Sequence, residues 1–325
     1  MALSLRRGWV NAVVDRLPEL VRLEVDGIPC IAYPRLTGPV EEGDEVVVNV
    51  QARELGLGSG GFDVLYANLT RGLELPADEG AHVMKLPYTP AQAAARHVEE
   101  DVLLAESLDG LPVVCCSLHS QVAPVCAGIG RGRRVAYVQV PGGALPVSLS
   151  DTIRALKQRG LIETAIAAGA CLDGDLQAVT TAAALTWAKA QGYEAAVCAI
   201  GPGIVGTGSR LGHGGLAAAG AANAAAALGG YAVLAPRVSQ GDERDRHHGV
   251  SHHTRSVLDL CLGEVAVAWP AGLPAPEWLE ERVEVDATGW REACAGLPLS
   301  HMGRSSDEEP AFFAAAFAAG RLAQR

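Results

Sequence analysis

The chain has no surplus of positive charge: 26 Lys and Arg stand against 37 Asp and Glu, a formal net charge of -11. Nucleic acids and anionic membranes are held by clustered cations that displace counterions, so this balance argues against both as partners and favours small molecules. Long apolar runs are also missing, and no stretch crosses a bilayer's thickness without Gly, Pro or charge. The opening residues, MALSLRRGWVNAVV, show neither the apolar core nor the small-residue cleavage site of a signal peptide, which predicts a cytoplasmic protein. Cysteine never occurs as CxxC. Cys30, Cys115, Cys116, Cys126, Cys171, Cys198, Cys261 and Cys294 lie mostly in apolar runs, so buried hydrophobes are expected rather than disulfides or a zinc ribbon. A G-x-S-x-G nucleophile elbow is absent as well.

What is present is 325 residues with 49% hydrophobic content, enough for two domains. Residues 1–85 read as a small β-barrel-like domain: WVNAVVD, LVRLEVDG, IPCIAY, DEVVVNVQA and FDVLYANL are short, β-branched and separated by Gly, Pro and Asp. GLGSGGFD (56–63) is too glycine-rich for a regular element and reads as a loop or a tight barrel corner. Residues 86–110 read as a linker carrying one amphipathic helix.

From residue 111 to 325 the pattern becomes strand, loop, helix. Apolar runs at 112–117, 135–140, 164–169, 195–200, 231–236 and 265–270 alternate with helical segments near 121–130, 151–159, 176–191, 215–228 and 254–263. Continuous apolarity marks parallel strands buried on both faces, so a doubly wound, mostly parallel (Rossmann-like) α/β domain is predicted. The loops leaving such strands share one edge, where ligands bind.

Those loops hold the candidate site. GPGIVGTGS places Gly201, Gly203 and Gly206 at dinucleotide-fingerprint spacing. Pro202 removes a donor, however, and no acidic residue follows about twenty positions on; Ser209 and Arg210 stand where a Walker motif needs Lys and Ser/Thr. Neither NAD nor Walker-type ATP binding is expected. Together with Thr207, Gly208, Ser209, Gly142 and Gly143, these glycines form either an amide cradle for an anion or tight structural turns. Asp173 and Asp175 in LDGD can share a divalent metal, or make an Asp-Gly turn with Asp175 capping the next helix. Ser148 to Asp151 reads as a capping box without chemistry.

Residues 237–254, RVSQGDERDRHHGVSHHT, hold four of the nine histidines of the chain. Ser251 is a natural N-cap for a helix over 251–263, placing His252 and His253 in its first turn, where the helix dipole favours neutral imidazole. Asp245, His247, His252 and His253 are the candidates for acid–base work, with His247 and His252 also possible metal ligands. Arg237, Arg244 and Arg246 suit phosphate or carboxylate. A solvated, salt-bridged loop is the competing explanation. His119, flanked by Ser117 and Ser120, is a further candidate or a hydrogen-bonded structural residue. SHMGRSSDEE (300–309) adds His301 and Arg304 before an Ala-rich helix, and Gly303 and Arg304 either close the cleft or begin that helix.

The segments YPRLTGPVEEGDEVVVN, ELGLGSGGFD, ANLTRG, HVMKLPYTP, LHS, GGALP, GPGIVGTGS, the His-rich run and MGRSSDEEPAFFAAAFAAG together resemble a bacterial family known as domain of unknown function 3866. The resemblance covers nearly the whole chain and implies a bacterial cytosolic protein, but it brings no activity or catalytic residues. The residues themselves lead us to expect an enzyme acting on a small anionic, phosphorylated or nucleotide-like metabolite by His/Asp acid–base or metal-assisted chemistry. The alternative is a binding module using the same cleft. Self-association into a homo-oligomer is compatible with either.

Overall fold

The computed structural model describes residues 3–56, 61–71, 74–75 and 78–324. The chain forms two compact units, Met1–Ala95 and Arg96–Arg325. In the first, β1 (Leu5–Arg16), β2 (Val21–Val25), β3 (Ile28–Ala32), β4 (Glu45–Asn49) and β5 (Asp63–Asn68) close a barrel in the order β1-β2-β3-β5-β4. Every second side chain points inward, so Val21, Leu23 and Val25 of β2 meet Val46 and Val48 of β4 in the barrel core. Of the glycine run at 56–63, residues 57–60 lie outside the described residues.

Between 86 and 110 the expected amphipathic helix is a single turn, Val98–Asp101. Pro87 and Pro90 cannot sit inside a helix, and Leu86 and Tyr88 adopt left-handed backbone conformations (φ 47° and 58°). The chain there connects a short hairpin, β6 (Val83–Lys85) with β7 (Ala93–Ala95).

The second unit is built on an eight-stranded sheet. In chain order its strands are β8 (Pro112–Cys116), β9 (Val135–Val140), β10 (Thr164–Ala168), β11 (Leu176–Ala178), β12 (Ala195–Ile200) and β13 (Tyr231–Ala235). A two-stranded ribbon, β14 (Val238–Ser239) with β15 (Gly249–Val250), intervenes before β16 (Ala266–Pro270) and β17 (Arg282–Val285). The spatial order is β11-β10-β9-β12-β8-β13-β16-β17, and every neighbouring pair is parallel.

Helices α1 (Val122–Ile129), α2 (Asp151–Gln158) and α6 (Pro310–Leu322) cover one face, while α3 (Thr181–Ala190), α4 (Ala217–Ala227) and α5 (His252–Leu258) cover the other. Alternate residues of each strand feed the two cores: Val114 and Cys116 turn one way, Val113 and Cys115 the other. This accounts for unbroken apolarity in the strands. All eight cysteines are free thiols and seven are buried. On the first face α1 and α6 touch backbone to backbone, since a Cβ on Gly320 would stand 2.0 Å from the Val125 carbonyl oxygen.

Three local expectations change. The segment 176–191 starts as strand β11, and the helix waits until Thr180, whose Oγ1 accepts the Ala183 N–H at 3.1 Å. Helix α2 is capped by Ser150, which accepts the Ile153 N–H at 3.0 Å, rather than by Ser148. Helix α5 ends at Leu258, well before 263. Among the described residues, no helix is long and apolar enough to cross a membrane.

Candidate functional site

Strands β8 to β11 progress toward one side of the sheet, β12 returns to lie between β9 and β8, and β13 onward build the other side. The direction of winding therefore reverses around β12-β8-β13, and the loops leaving the carboxyl ends of these strands share the edge at which open α/β sheets bind ligands. Hydrogen bonds tie the three ends together. His119 Nδ1–H donates to the Ile200 carbonyl at 3.1 Å, which leaves Nε2 to accept the Ser150 hydroxyl at 2.6 Å. Gln121 Nε2 donates to the Ala235 and Pro236 carbonyls at 2.8 and 3.2 Å. His119 is thus buried with both ring nitrogens engaged, and burial pushes its pKa down to about 4.

The loop after β12 doubles back on itself: Gly214 N–H donates to the Val205 carbonyl at 2.8 Å, and Gly206 pairs with His213. Of its glycines, Gly203, Gly206 and Gly208 are exposed, as are Thr207 and Ser209, whose hydroxyls lie 2.9 Å apart. Gly142, Gly143 and Gly201 have a packing role. A Cβ on Gly143 would lie 2.3 Å from the Gly201 carbonyl oxygen, and one on Gly201 would lie 2.1 Å from that of Ala144. The turn also delivers His213, buried and absent from the sequence-based candidates.

The loop after β13 is no solvated decoration. Ribbon β14–β15 folds it over, Ser251 N–H donates to the Arg237 carbonyl at 2.9 Å, and Arg237 N–H donates to Thr254 Oγ1 at 2.8 Å. Ser251 caps α5 as expected, accepting the His253 N–H at 3.2 Å. Arg237, Asp242, His247, Ser251 and His253 are buried, His252 is half-buried, and Asp245, Arg246 and His248 face solvent. His247 and His248 therefore point apart, whereas His252 and His253 both enter one cluster.

That cluster contains His213, His247, His252 and His253. The rings of His213 and His253 stack with centroids 3.7 Å apart and planes 13° from parallel. His252 stands edge-on to His253 at 4.5 Å and to His213 at 5.5 Å, while His247 lies 4.9 Å from both His252 and His253. One ring nitrogen from each of His213, His252 and His253 falls within 4.8 Å of the others. Neither nitrogen of His213 nor Nε2 of His252 has a hydrogen-bond partner of ordinary geometry, although all three atoms are buried. His247 Nδ1 meets Ser251 Oγ at 2.7 Å, and His253 Nδ1 accepts from Arg237 Nη1 at 3.2 Å.

Burial holds all four imidazoles neutral. It lowers His213 to about 4, with His252 adding to the effect and a backbone contact from Arg210 opposing it weakly. Burial followed by Arg237 takes His247 to about 3, and burial followed by His213 takes His253 to about 2. His252 moves down through burial and then Arg246.

Beside the rings, Arg237, Arg244 and Arg304 converge on Asp242, with closest contacts of 3.3, 2.7 and 3.5 Å. Arg304 also holds Glu309 at 2.6 Å, and Glu309 accepts from Ser239 Oγ at 2.6 Å. Hydrogen bonding from Arg244 keeps the Asp242 carboxyl far below the usual range, while burial lowers Arg237 to about 10. Three guanidiniums thus face two carboxylates, leaving one positive charge over, and Arg237 Nε is buried without a partner. His301 closes this side: its Nδ1 meets Ser120 Oγ at 3.2 Å, and its ring stacks on Phe312 at 3.9 Å.

Asp175 is not brought to the imidazoles. The chain turns back after β10, so Asp175 accepts the Ala165 N–H at 2.8 Å near the opposite end of that strand and pairs with Lys157. It caps no helix. No curated protein matches the chain. A family model does, over nearly the whole length: the chain belongs to the family described as protein of unknown function (DUF3866), matched over residues 29–320.

Proposed function

We propose that the crevice at the carboxyl ends of β12, β8 and β13 is the reaction centre of an enzyme acting on a small anionic metabolite, phosphorylated or nucleotide-like. The observation that carries this reading is the packing of four neutral imidazoles against an arginine cluster with one more positive charge than negative. Guanidiniums pair with phosphate or carboxylate oxygens, and neutral imidazole offers a lone pair to a proton or a cation. Arg246 fits the role of first contact for the anion: it is exposed and has no ion-pair partner among the described residues. Inside, Arg237 adds a buried donor left over at Nε. A purely structural role explains the cluster poorly, because unpartnered buried polar atoms cost about 1–3 kcal/mol each.

Calorimetric titration of the full chain with inorganic phosphate and with nucleoside monophosphates, followed by mass spectrometry of the incubated mixtures, tests the proposal. Binding that weakens in Arg246→Ala, together with conversion of at least one phosphorylated compound, is the expected result. Binding without any conversion across a broad panel would instead support a ligand-binding module. Absence of binding would remove the anionic substrate altogether.

A further inference from the structure

We propose that His213, His252 and His253 form a binding site for one divalent transition-metal ion of the zinc or cobalt class. This deepens the reading of the crevice as a reaction centre by naming its cofactor, but its test needs no substrate.

The first argument is geometric: two separate crossovers deliver His213, His252 and His253 so that one ring nitrogen of each lies within 4.8 Å of the others, on side chains that are buried or half-buried. The second argument is satisfaction of buried groups. The ring nitrogens of His213 and Nε2 of His252 lack a hydrogen bond of ordinary geometry, with His213 meeting the Arg210 backbone in a poorer contact, and a shared ion would give each ring a full partner. Third, the donor set is selective. Asp242 is committed to three arginines, Asp245 faces solvent, and Asp175 lies elsewhere, so among the described residues the ligand group is made of imidazoles, with no carboxylate or thiol in it. Imidazole sets favour zinc, cobalt or nickel over magnesium and calcium, which prefer oxygen.

Two adjustments accompany binding. Zinc–nitrogen bonds of about 2.0–2.1 Å require the three nitrogens to draw closer than 4.8 Å. The stacked rings of His213 and His253 also carry parallel in-plane lone pairs, so one must rotate to share an ion. His253 Nδ1 currently accepts from Arg237 Nη1. If the ion takes that lone pair, the guanidinium is released beside the metal, where it can hold an anion. Three protein ligands leave a fourth position open, the arrangement in which a bound metal activates water or polarises a substrate oxygen. Half-buried His252 marks the approach from solvent.

The test uses untagged full-length protein, stripped with a chelator and titrated with Co2+ or Zn2+ alone. One equivalent of Co2+ is expected per chain, with visible d–d bands of low-symmetry coordination and a Tm that rises with Zn2+ but not with Mg2+. His213→Ala and His252→Ala, each checked for folding by circular dichroism, should weaken Co2+ binding by more than about a hundredfold, beyond the usual cost of losing a supporting group. His248→Ala should bind as the parent does. Using both variants guards against a fold defect in one of them. No stoichiometric Co2+ binding by the parent, or binding unchanged in both folded variants, overturns the metal site. Phosphate titration of the stripped protein is read separately: anion binding without metal binding removes this inference alone, whereas metal binding without any anion binding removes the substrate class.

Discussion

His213 lies face to face with His253 although the two arrive from different crossovers, one from the turn after β12 and the other from the start of α5. Their meeting depends on the strand order, which brings the ends of β12 and β13 to either side of β8. The stack joins a ring with no hydrogen bond of ordinary geometry to one held by Arg237. His119, just after β8, has both nitrogens satisfied. The two kinds of histidine should respond differently to substitution.

In chelator-treated protein, His213→Phe keeps a planar ring and removes two buried nitrogens that lack a hydrogen bond of ordinary geometry, so stability should hold or rise by about 1 kcal/mol. His119→Phe strands the Ser150 hydroxyl and the Ile200 carbonyl and should cost about 1–3 kcal/mol. Urea denaturation of both variants measures the contrast. A large loss in His213→Phe together with none in His119→Phe would reverse the roles assigned to them.

Acid should destabilise the metal-free protein before its carboxylates titrate. The folded-state pKa values of His213, His247 and His253 lie far below the usual histidine value, so as pH falls through about 6.5 the unfolded chain takes protons that the folded chain refuses. Their neutral burial is without penalty above that pH, and stability declines on acidification at up to about 1.4 kcal/mol per pH unit for each such ring. The decline for His213 ends near pH 4, where the folded protein also binds the proton. Asp242 and Glu309 have lowered values and act in a lower window: their contribution is present above the unfolded carboxylate pKa and disappears as pH falls further. Denaturation midpoints measured from pH 7.5 to 4.5 should show this slope, reduced by about one proton in His213→Phe.

The strands were legible because parallel strands buried on both faces need unbroken apolarity, as VAYVQV and AAVCAI have. Edge strand β17, RVEV, has one covered flank and alternates, so it escaped notice. The dense run at 237–254 announced itself by composition. Its inner order did not, since the sequence has no means of saying that Asp242 gathers three arginines while Asp245 remains in solvent. His213 was hidden for a similar reason. A single His in LGHGG carries no local signal, and only its place after β12, facing the His pair after β13, gives it meaning. Asp175 of LDGD misled because a reversal of the chain after β10 carries it away from the shared edge.

Asp242→Asn should be among the most damaging single changes. It leaves Arg237 charged and buried beside Arg244 and Arg304, and breaking a buried pair from one side costs about 3–5 kcal/mol. Adding Arg237→Met to the same chain removes the stranded charge and should restore a large part of the loss. Chemical denaturation of the single and double variants gives the coupling directly; additive losses would mean that the two side chains do not depend on one another.

The close approach of two glycine turns sets the position of His213, and this too can be broken selectively. A Cβ on Gly214 would stand 1.8 Å from the Gly142 carbonyl oxygen, a backbone atom that cannot swing aside, whereas a Cβ on Gly208 meets nothing within 4 Å. Gly214→Ala must therefore push the 205–214 turn away from the β9 loop and carry the neighbouring imidazole with it. We expect a stability loss of about 1–3 kcal/mol from the overpacking, with Co2+ binding weakened alongside. Gly208→Ala should leave both unchanged to within about 0.5 kcal/mol, as exposed positions do. If Gly208→Ala preserves stability yet abolishes phosphate binding, the exposed tip of the turn contacts the anion through its backbone. If Gly214→Ala matches the parent in stability and in Co2+ affinity, the glycine contact does not position His213.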